Sequence, residues 1–240
     1  MVNFKPLKLY MFFLTEKLIK KYSIKGKFLD AGGGKGDASL FLLRKDFKGK
    51  LIDFSKEAIK QAKISLSEYK NKIKIENKSI LKEKGKYDLI VLWDVIEHIK
   101  NDKRVIEKCH RLLNKRGYFL ISYVTKKKEW KKDDELYGHF RRYELEDIKK
   151  DLSKFKILEI WDFTFPVFWL MRRIYVNFIK ETKEKDKLKL TKHSSLKTDY
   201  FDLFNLYLSS KFIWEPLWYV CYIFRRHNLG HQALVLVRKI

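Results

Sequence analysis

The 240-residue sequence predicts an α/β fold built on a doubly wound, mostly parallel sheet of seven strands. Three observations carry that prediction. Short β-type runs alternate with helical stretches through residues 27–162, the rhythm of strand–helix–strand units. The run Tyr87–Trp93 is apolar almost throughout, as a strand covered on both faces must be. The run Phe28-Leu29-Asp30-Ala31 breaks into Gly32-Gly33-Gly34-Lys35-Gly36. A parallel strand turns into a helix in this way, leaving bare backbone at its carboxyl end.

Taken in order, the helical spacing of apolar residues covers about 6–22, inside an N-terminal helical region 1–24. Strands follow at 27–31, 50–54, 72–76, 87–93, 118–124, 156–161 and 232–238. Helices fall at 37–45, 56–69, 102–113 and 144–152, with a turn at Asn114–Gly117. Residues 163–230 break the rhythm. They are crowded with Phe, Trp and Tyr in two clusters separated by a charged bridge, Lys180–Lys197. We read two helical pieces inserted before the last strand. The whole chain, 1–240, is then one domain: a helix at 1–24, a cofactor-binding core at 25–162, an insert at 163–230 and the closing strand at 231–240.

Composition narrows the function. With 45% hydrophobic residues the chain can build a substantial core. Two distant cysteines, Cys109 and Cys221, lack metal-type spacing, which argues against a disulfide framework or a zinc site and fits a reducing, cytoplasmic setting. The N-terminus mixes lysines with apolar residues and has no signal-type core. The longest apolar runs are about a dozen residues, and Phe212–Phe224 contains Glu215 and Pro216, so no segment reaches the roughly 20 residues a spanning helix needs. The net charge is +24. A polyanionic partner, nucleic acid or an anionic membrane surface, and a general lysine excess on solvated faces account for it equally well.

The glycine turn suits a nucleotide-like cofactor. Dinucleotide-binding turns carry a third glycine where this chain has Asp37, and a carboxylate facing a pyrophosphate is unfavourable. Asp30 before the turn suits a cofactor with a cationic amino group. Asp53, at the end of the next strand, suits a ribose diol. We expect the N–H groups following Gly32 and Gly34 to face the ligand.

Read together, Leu29-Asp30-Ala31-Gly32-Gly33-Gly34-Lys35-Gly36, Leu51-Ile52-Asp53-Phe54-Ser55, Tyr87–Ile99 and Arg111–Tyr118 resemble, in order, the motifs of class I S-adenosylmethionine-dependent methyltransferases. The Asp94-Val95-Ile96-Glu97-His98-Ile99 stretch is similar to the ubiquinone-biosynthesis-like branch that acts on small molecules and lipids. The resemblance implies a Rossmann-like sheet with an antiparallel last strand and S-adenosylmethionine as cofactor. It implies that Asp30 and the backbone of Gly32, Gly33, Gly34 and Gly36 hold the methionine end. Asp53 would bind the ribose, with Phe54, Ser79 and Ile80 near the adenine; Ser79 departs from the family's usual Asp. Trp93 and Asp94 would lie against the cofactor at the tip of the fourth strand.

Two histidines compete to be the base that removes the acceptor's proton, His98 and His139. His139 lies in Gly138-His139-Phe140-Arg141-Arg142-Tyr143, a stretch that also resembles one in this branch. The functional reading places His139 or Tyr143 at the acceptor and Arg141 or Arg142 on an anionic group of it. The structural reading has the arginines pairing with acids. The resemblance also raises a divalent cation at Asp94, Glu97 and His98. The same pattern is common in relatives with no metal role, so the structural reading is preferred and no metal is assigned.

The acceptor is expected to be small or lipid-like, hydrophobic or anionic; the aromatic insert reads either as core packed against the sheet or a second copy, or as a lid over the acceptor. Arg172, Arg173, Arg225 and Arg226 beside the aromatics suit a lipid-linked acceptor or peripheral contact with an anionic membrane. RNA is the rival acceptor, favoured by charge but lacking a base-reading motif or an appended RNA-binding module. A cofactor-binding protein without catalysis is the third reading.

Overall fold

The computed structural model describes residues 6–177 and 214–240. The strands are β1 (Lys27–Ala31), β2 (Lys48–Asp53), β3 (Ile73–Asn77), β4 (Tyr87–Leu92), β5 (Leu113–Val124), β6 (Phe155–Asp162) and β7 (Gln232–Lys239). The helices are α1 (Pro6–Tyr22), α2 (Asp37–Leu43), α3 (Lys56–Ser65), α4 (Asp102–Leu112), α5 (Lys132–Tyr137), α6 (Leu145–Asp151) and α7 (Val167–Asn177). Residues 214–223 form an eighth helical stretch, α8.

The seven strands make one sheet in the order β3-β2-β1-β4-β5-β7-β6, with β7 antiparallel to both neighbours and the other pairings parallel. The chain builds outward from β1 to β3, returns to the centre at β4, and builds outward the other way. The crevice for a ligand therefore opens at the carboxyl ends of β1 and β4, where the winding reverses.

Alternation along the strands feeds two apolar layers. Phe28, Leu89 and Val91 face one with α1, α2 and α3; Leu29, Ile90 and Leu92 face the other with α4 and α6. Six consecutive residues of α1, Leu9 to Leu14, are buried, so this helix is covered all round rather than lying on a surface. Phe12 stacks on Phe41 at 5.0 Å, and Tyr10 on Phe168 of α7 at 5.6 Å. Phe13 meets Trp218 of α8 at 5.8 Å. Helix α1 is thus wedged between the core and the described parts of the insert, which are helical as expected. The charged bridge 180–197 and the aromatic cluster 200–212 lie outside the described residues.

Some boundaries differ from expectation. The predicted turn at 114–117 lies inside β5. Pairing with β4 jumps from Tyr87–Leu113 to Leu89–Tyr118, and Arg116, at φ 62°, absorbs the extra residues as an irregularity in the strand. Helix α3 stops at Ser65, and Ser67–Tyr69 continues as one 3-10 turn. Helix α5 and the 3-10 turn Ile96–His98 were not anticipated from the sequence.

Candidate active site

Asp30 closes the strand side of the glycine turn. It is buried, and its Oδ2 accepts from both the backbone N–H (3.1 Å) and the hydroxyl (2.7 Å) of Ser39 in α2. Burial raises its pKa to about 6, with the Ser39 bonds and Lys8 holding it back from rising further. The turn uses most of its own donors. Gly32 and Gly33 N–H both donate to Ile52 O, at 2.8 and 3.3 Å, and Gly36 N–H donates to Gly33 O at 2.9 Å. The expectation that the N–H after Gly32 faces a ligand is therefore corrected: the β1–β2 pairing takes it up.

What the turn offers is space. Gly34 sits at φ 56°, and a Cβ built there would meet nothing within 4 Å. At Gly32, φ 74°, it would fall 2.7 Å from Val95. The turn is thus packed against its own protein at Gly32, as at Gly33 and Gly36, and open at Gly34.

Asp53 fastens two turns together. Its Oδ2 accepts from Gly34 N–H (3.0 Å) and its Oδ1 from Ser55 N–H (2.8 Å). Each oxygen keeps a second lone-pair site for a diol. Phe54 beside it is 84% exposed. Ser79 is exposed and caps the 3-10 turn Ile80–Lys82 through Leu81 N–H, while Ile80 is buried with Leu29, Ala31 and Ile52. Trp93 and Asp94 directly follow β4, as expected. Trp93 is half-buried, 6.0 Å from Phe12. Asp94 is held at φ 51° by exchange with Ser122: its N–H donates to Ser122 Oγ at 2.7 Å, and that hydroxyl donates to Asp94 Oδ1 at 3.2 Å. Lys8 of α1 pairs with Asp37 at the first turn of α2. Burial opposes its charge, but Asp37, with Asp94 and Asp30, holds its pKa above the ordinary lysine value.

The second half of the site forms where the 3-10 turn 96–98 meets the end of α5. Phe140 N–H donates to Glu97 O at 2.8 Å, which brings the two histidines together. The His98 and His139 rings meet edge to face with centroids 4.8 Å apart. Glu97 is buried, its Oε2 has no partner, and burial together with Asp94 pushes its carboxyl well above the usual range. Burial and the neighbouring His139 push His98 down, so its neutral form is favoured. Glu97, His98 and His139 offer three ligand-type atoms within 4.8 Å of one another; Asp94 is not in this group, being turned to Ser122.

Two predicted residues have other tasks. Arg142 was expected on an anionic substrate, but it is buried, pairs side-on with Asp134 (Nε and NH2, both 2.9 Å), and donates to Thr125 O and His231 O. Tyr143 was expected near the acceptor, but it is buried and donates to Asp102 Oδ2 at 2.9 Å; burial and Asp102 push its hydroxyl pKa far up. Arg141 remains near the surface, bonded to Asp102 at 2.7 Å and to Lys100 O at 2.8 Å.

The residue that sequence reading missed is Asp134. It is fully buried and accepts from His139 Nδ1 at 2.7 Å, from Arg142, from Arg172 NH2 of α7 at 2.9 Å, and from Lys131 N–H at 2.9 Å. The one sequence signal near it is Gly138, four residues on and directly before the candidate histidine, a glycine of the kind that caps a helix end.

A family model described as a methyltransferase domain matches residues 8–156. A ubiquinone biosynthesis O-methyltransferase of Pelagibacter ubique is 32% identical over 136 residues, 52% of this chain and 55% of that protein. The chain spans about half the length of the curated relatives it matches. Among solved structures, one described as a sarcosine dimethylglycine methyltransferase from Galdieria sulphuraria has a TM-score of 0.62 at 19% identity, covering 95% of this chain and 84% of that one. The 1,6-didemethyltoxoflavin-N1-methyltransferase of Burkholderia thailandensis, solved with bound 1,6-didemethyltoxoflavin and S-adenosylhomocysteine, has a TM-score of 0.59 at 11% identity, covering 99% of this chain and 79% of that one. At such identities the two structures speak for the fold.

Proposed function

The chain belongs to the methyltransferase-domain family, as a class I S-adenosylmethionine-dependent methyltransferase, and from that premise we propose that it methylates a hydroxyl of a small, largely apolar acceptor. The observation that carries this reading is His139, an imidazole held by a buried carboxylate with its ring centroid 4.8 Å from that of a second imidazole. A base is needed only where the acceptor arrives with a proton to lose, as a hydroxyl does. The printed function of the Pelagibacter relative, an O-methyltransferase of ubiquinone biosynthesis, supports the same acceptor class.

The residues present fit the cofactor. The open position beside Gly34 is a cradle that a side chain would fill, and Asp53 has acceptor capacity at the next strand end. Asp30 and the Gly34 cradle would hold the methionine end, and Asp53 the ribose. When bound, S-adenosylmethionine supplies a methyl group on a positively charged sulfur and leaves as neutral S-adenosylhomocysteine. The chain's own task is to position the acceptor and take up its proton, and positioning supplies much of the rate for so activated a donor. His139 receives the hydroxyl proton on the ring nitrogen opposite Asp134. Arg141, at the rim, would meet an anionic group on the acceptor. Helix α7, tied down through Arg172, would roof the acceptor with the apolar surface of the insert.

Transfer of labelled methyl from S-adenosylmethionine to a panel of acceptors tests this. Label in an ortho-dihydroxybenzene bearing an apolar tail, reduced at least 100-fold by His139→Ala, is the expected result. Label in bulk tRNA and none in the phenol would replace this reading with the RNA one.

A further inference from the structure

We propose that Asp134 is the positioning residue that makes His139 a base, by fixing its proton on Nδ1 and leaving Nε2 for the acceptor. The inference rests on the hydroxyl-acceptor reading above and adds to it the residue that sets the histidine's tautomer.

Asp134 holds His139 twice. Its backbone carbonyl accepts His139 N–H at 2.9 Å, and its carboxylate accepts Nδ1 at 2.7 Å. The double hold is possible because Gly138 ends α5 at φ 73°, a left-handed cap that folds the next residue back over the helix. Asp134 is in turn fixed by Arg142, Arg172 and Lys131 N–H, so it cannot rotate away. Burial works to raise its pKa, but the bonds from His139 and Arg142 prevail and hold it at about 2. An ionised carboxylate only accepts, so the proton of neutral His139 must sit on Nδ1, and the lone pair on Nε2.

The charged and titratable groups around the ring are few. His98 and Glu97 face it from the 3-10 turn, and Tyr137 of α5 lies 6.2 Å away. Arg142, Arg172 and His231 are packed behind Asp134, and burial keeps His231 neutral. In the reaction the acceptor O–H proton passes to Nε2 as the oxygen gains the methyl group. The imidazolium formed is stabilised through Nδ1–H by Asp134, and its proton goes to solvent after the product leaves.

The direct test is the nitrogen spectrum of the His139 side chain in the unmodified protein at high pH. A proton on Nδ1 is expected; a proton on Nε2 overturns the proposal. It needs no activity, so it stands apart from the acceptor reading. In the labelled-methyl assay, Asp134→Asn should lower kcat about 100-fold or more with the cofactor Kd unchanged. Asp134→Glu should recover part of the rate. Asp133→Asn, which removes a charge from the same Arg172 without touching His139, should keep kcat within threefold. Equal losses in Asp133→Asn and Asp134→Asn would make the cluster structural only. A rate that a chelator abolishes and a divalent cation restores would also overturn the proposal, by giving His139 to a metal.

Discussion

Gly34, joined to Asp53 by one 3.0 Å hydrogen bond, and Gly32 have surroundings that differ in a way that mutation can read. Alanine at Gly34 enters open space and carries only the strain of a left-handed residue, about 1 kcal/mol. We expect Gly34→Ala to lower Tm by a few degrees and to weaken S-adenosylmethionine binding at least tenfold, because the methyl fills the cradle. Gly32→Ala adds a 2.7 Å clash with Val95, so its Tm should fall much further. The reverse order of the two melting temperatures would contradict this account of the turn. Asp30 gives a pH prediction. Its carboxyl titrates near 6 in the folded protein, and only its ionised form attracts a cationic amino group. Cofactor affinity should therefore fall roughly fourfold between pH 7.5 and 5.5, and the fall should vanish in Asp30→Asn. Calorimetric titrations at the two pH values read both.

At the scale of elements, α1 is more than a leading helix. Phe12 is 1% exposed, stacked on Phe41 and beside Trp93, which places it under the cofactor end of β4. Phe12→Ala should cost about 3–5 kcal/mol in urea unfolding, and a loss under 1 kcal/mol would mean that the helix is not docked as described. The strands of the core were legible because their composition and their alternation with helices both point to a covered parallel sheet. The glycine turn and Asp53 were legible because strand ends are read from sequence order alone. Helix α5 was not: four of its six residues are charged, Leu136 and Tyr137 alone are too few to mark a helical period, and tertiary contacts through Asp134 hold the segment in place. For the same reason Arg142 and Tyr143 looked like surface chemistry. Nothing in Gly138–Tyr143 announces that Asp134 and Asp102, distant in sequence or on other elements, bury both side chains.

Across the whole molecule, one patch of positive charge lies at the end of the sheet opposite the site. A cleft of about 740 Å³ at the amino ends of β1, β2 and β3 is lined by Lys27, Lys48, Lys70, Lys72 and Lys74. Among the described residues, only Lys72 and Lys74 of that group have acidic partners, Asp46 and Glu76. Strands of five or six residues put roughly 17 Å between this cleft and the glycine turn, about twice the screening length at 0.15 M salt. Heparin binding should therefore fall steeply with salt and with Lys48→Glu plus Lys70→Glu, while methyl transfer in the same variant stays within twofold of the parent. Joint loss would tie the positive charge to catalysis and strengthen the case for a polyanionic acceptor. No helix among the described residues is long and apolar enough to cross a membrane. The reading of the molecule as a whole turns on the methyl donor binding where β1 and β4 part. Isothermal titration of S-adenosylmethionine into the unmodified protein and into Asp53→Ala tests that most directly. One-to-one binding, weakened 10- to 100-fold by the substitution, is the predicted result. No binding by the unmodified protein, or equal affinity in the two, would contradict it.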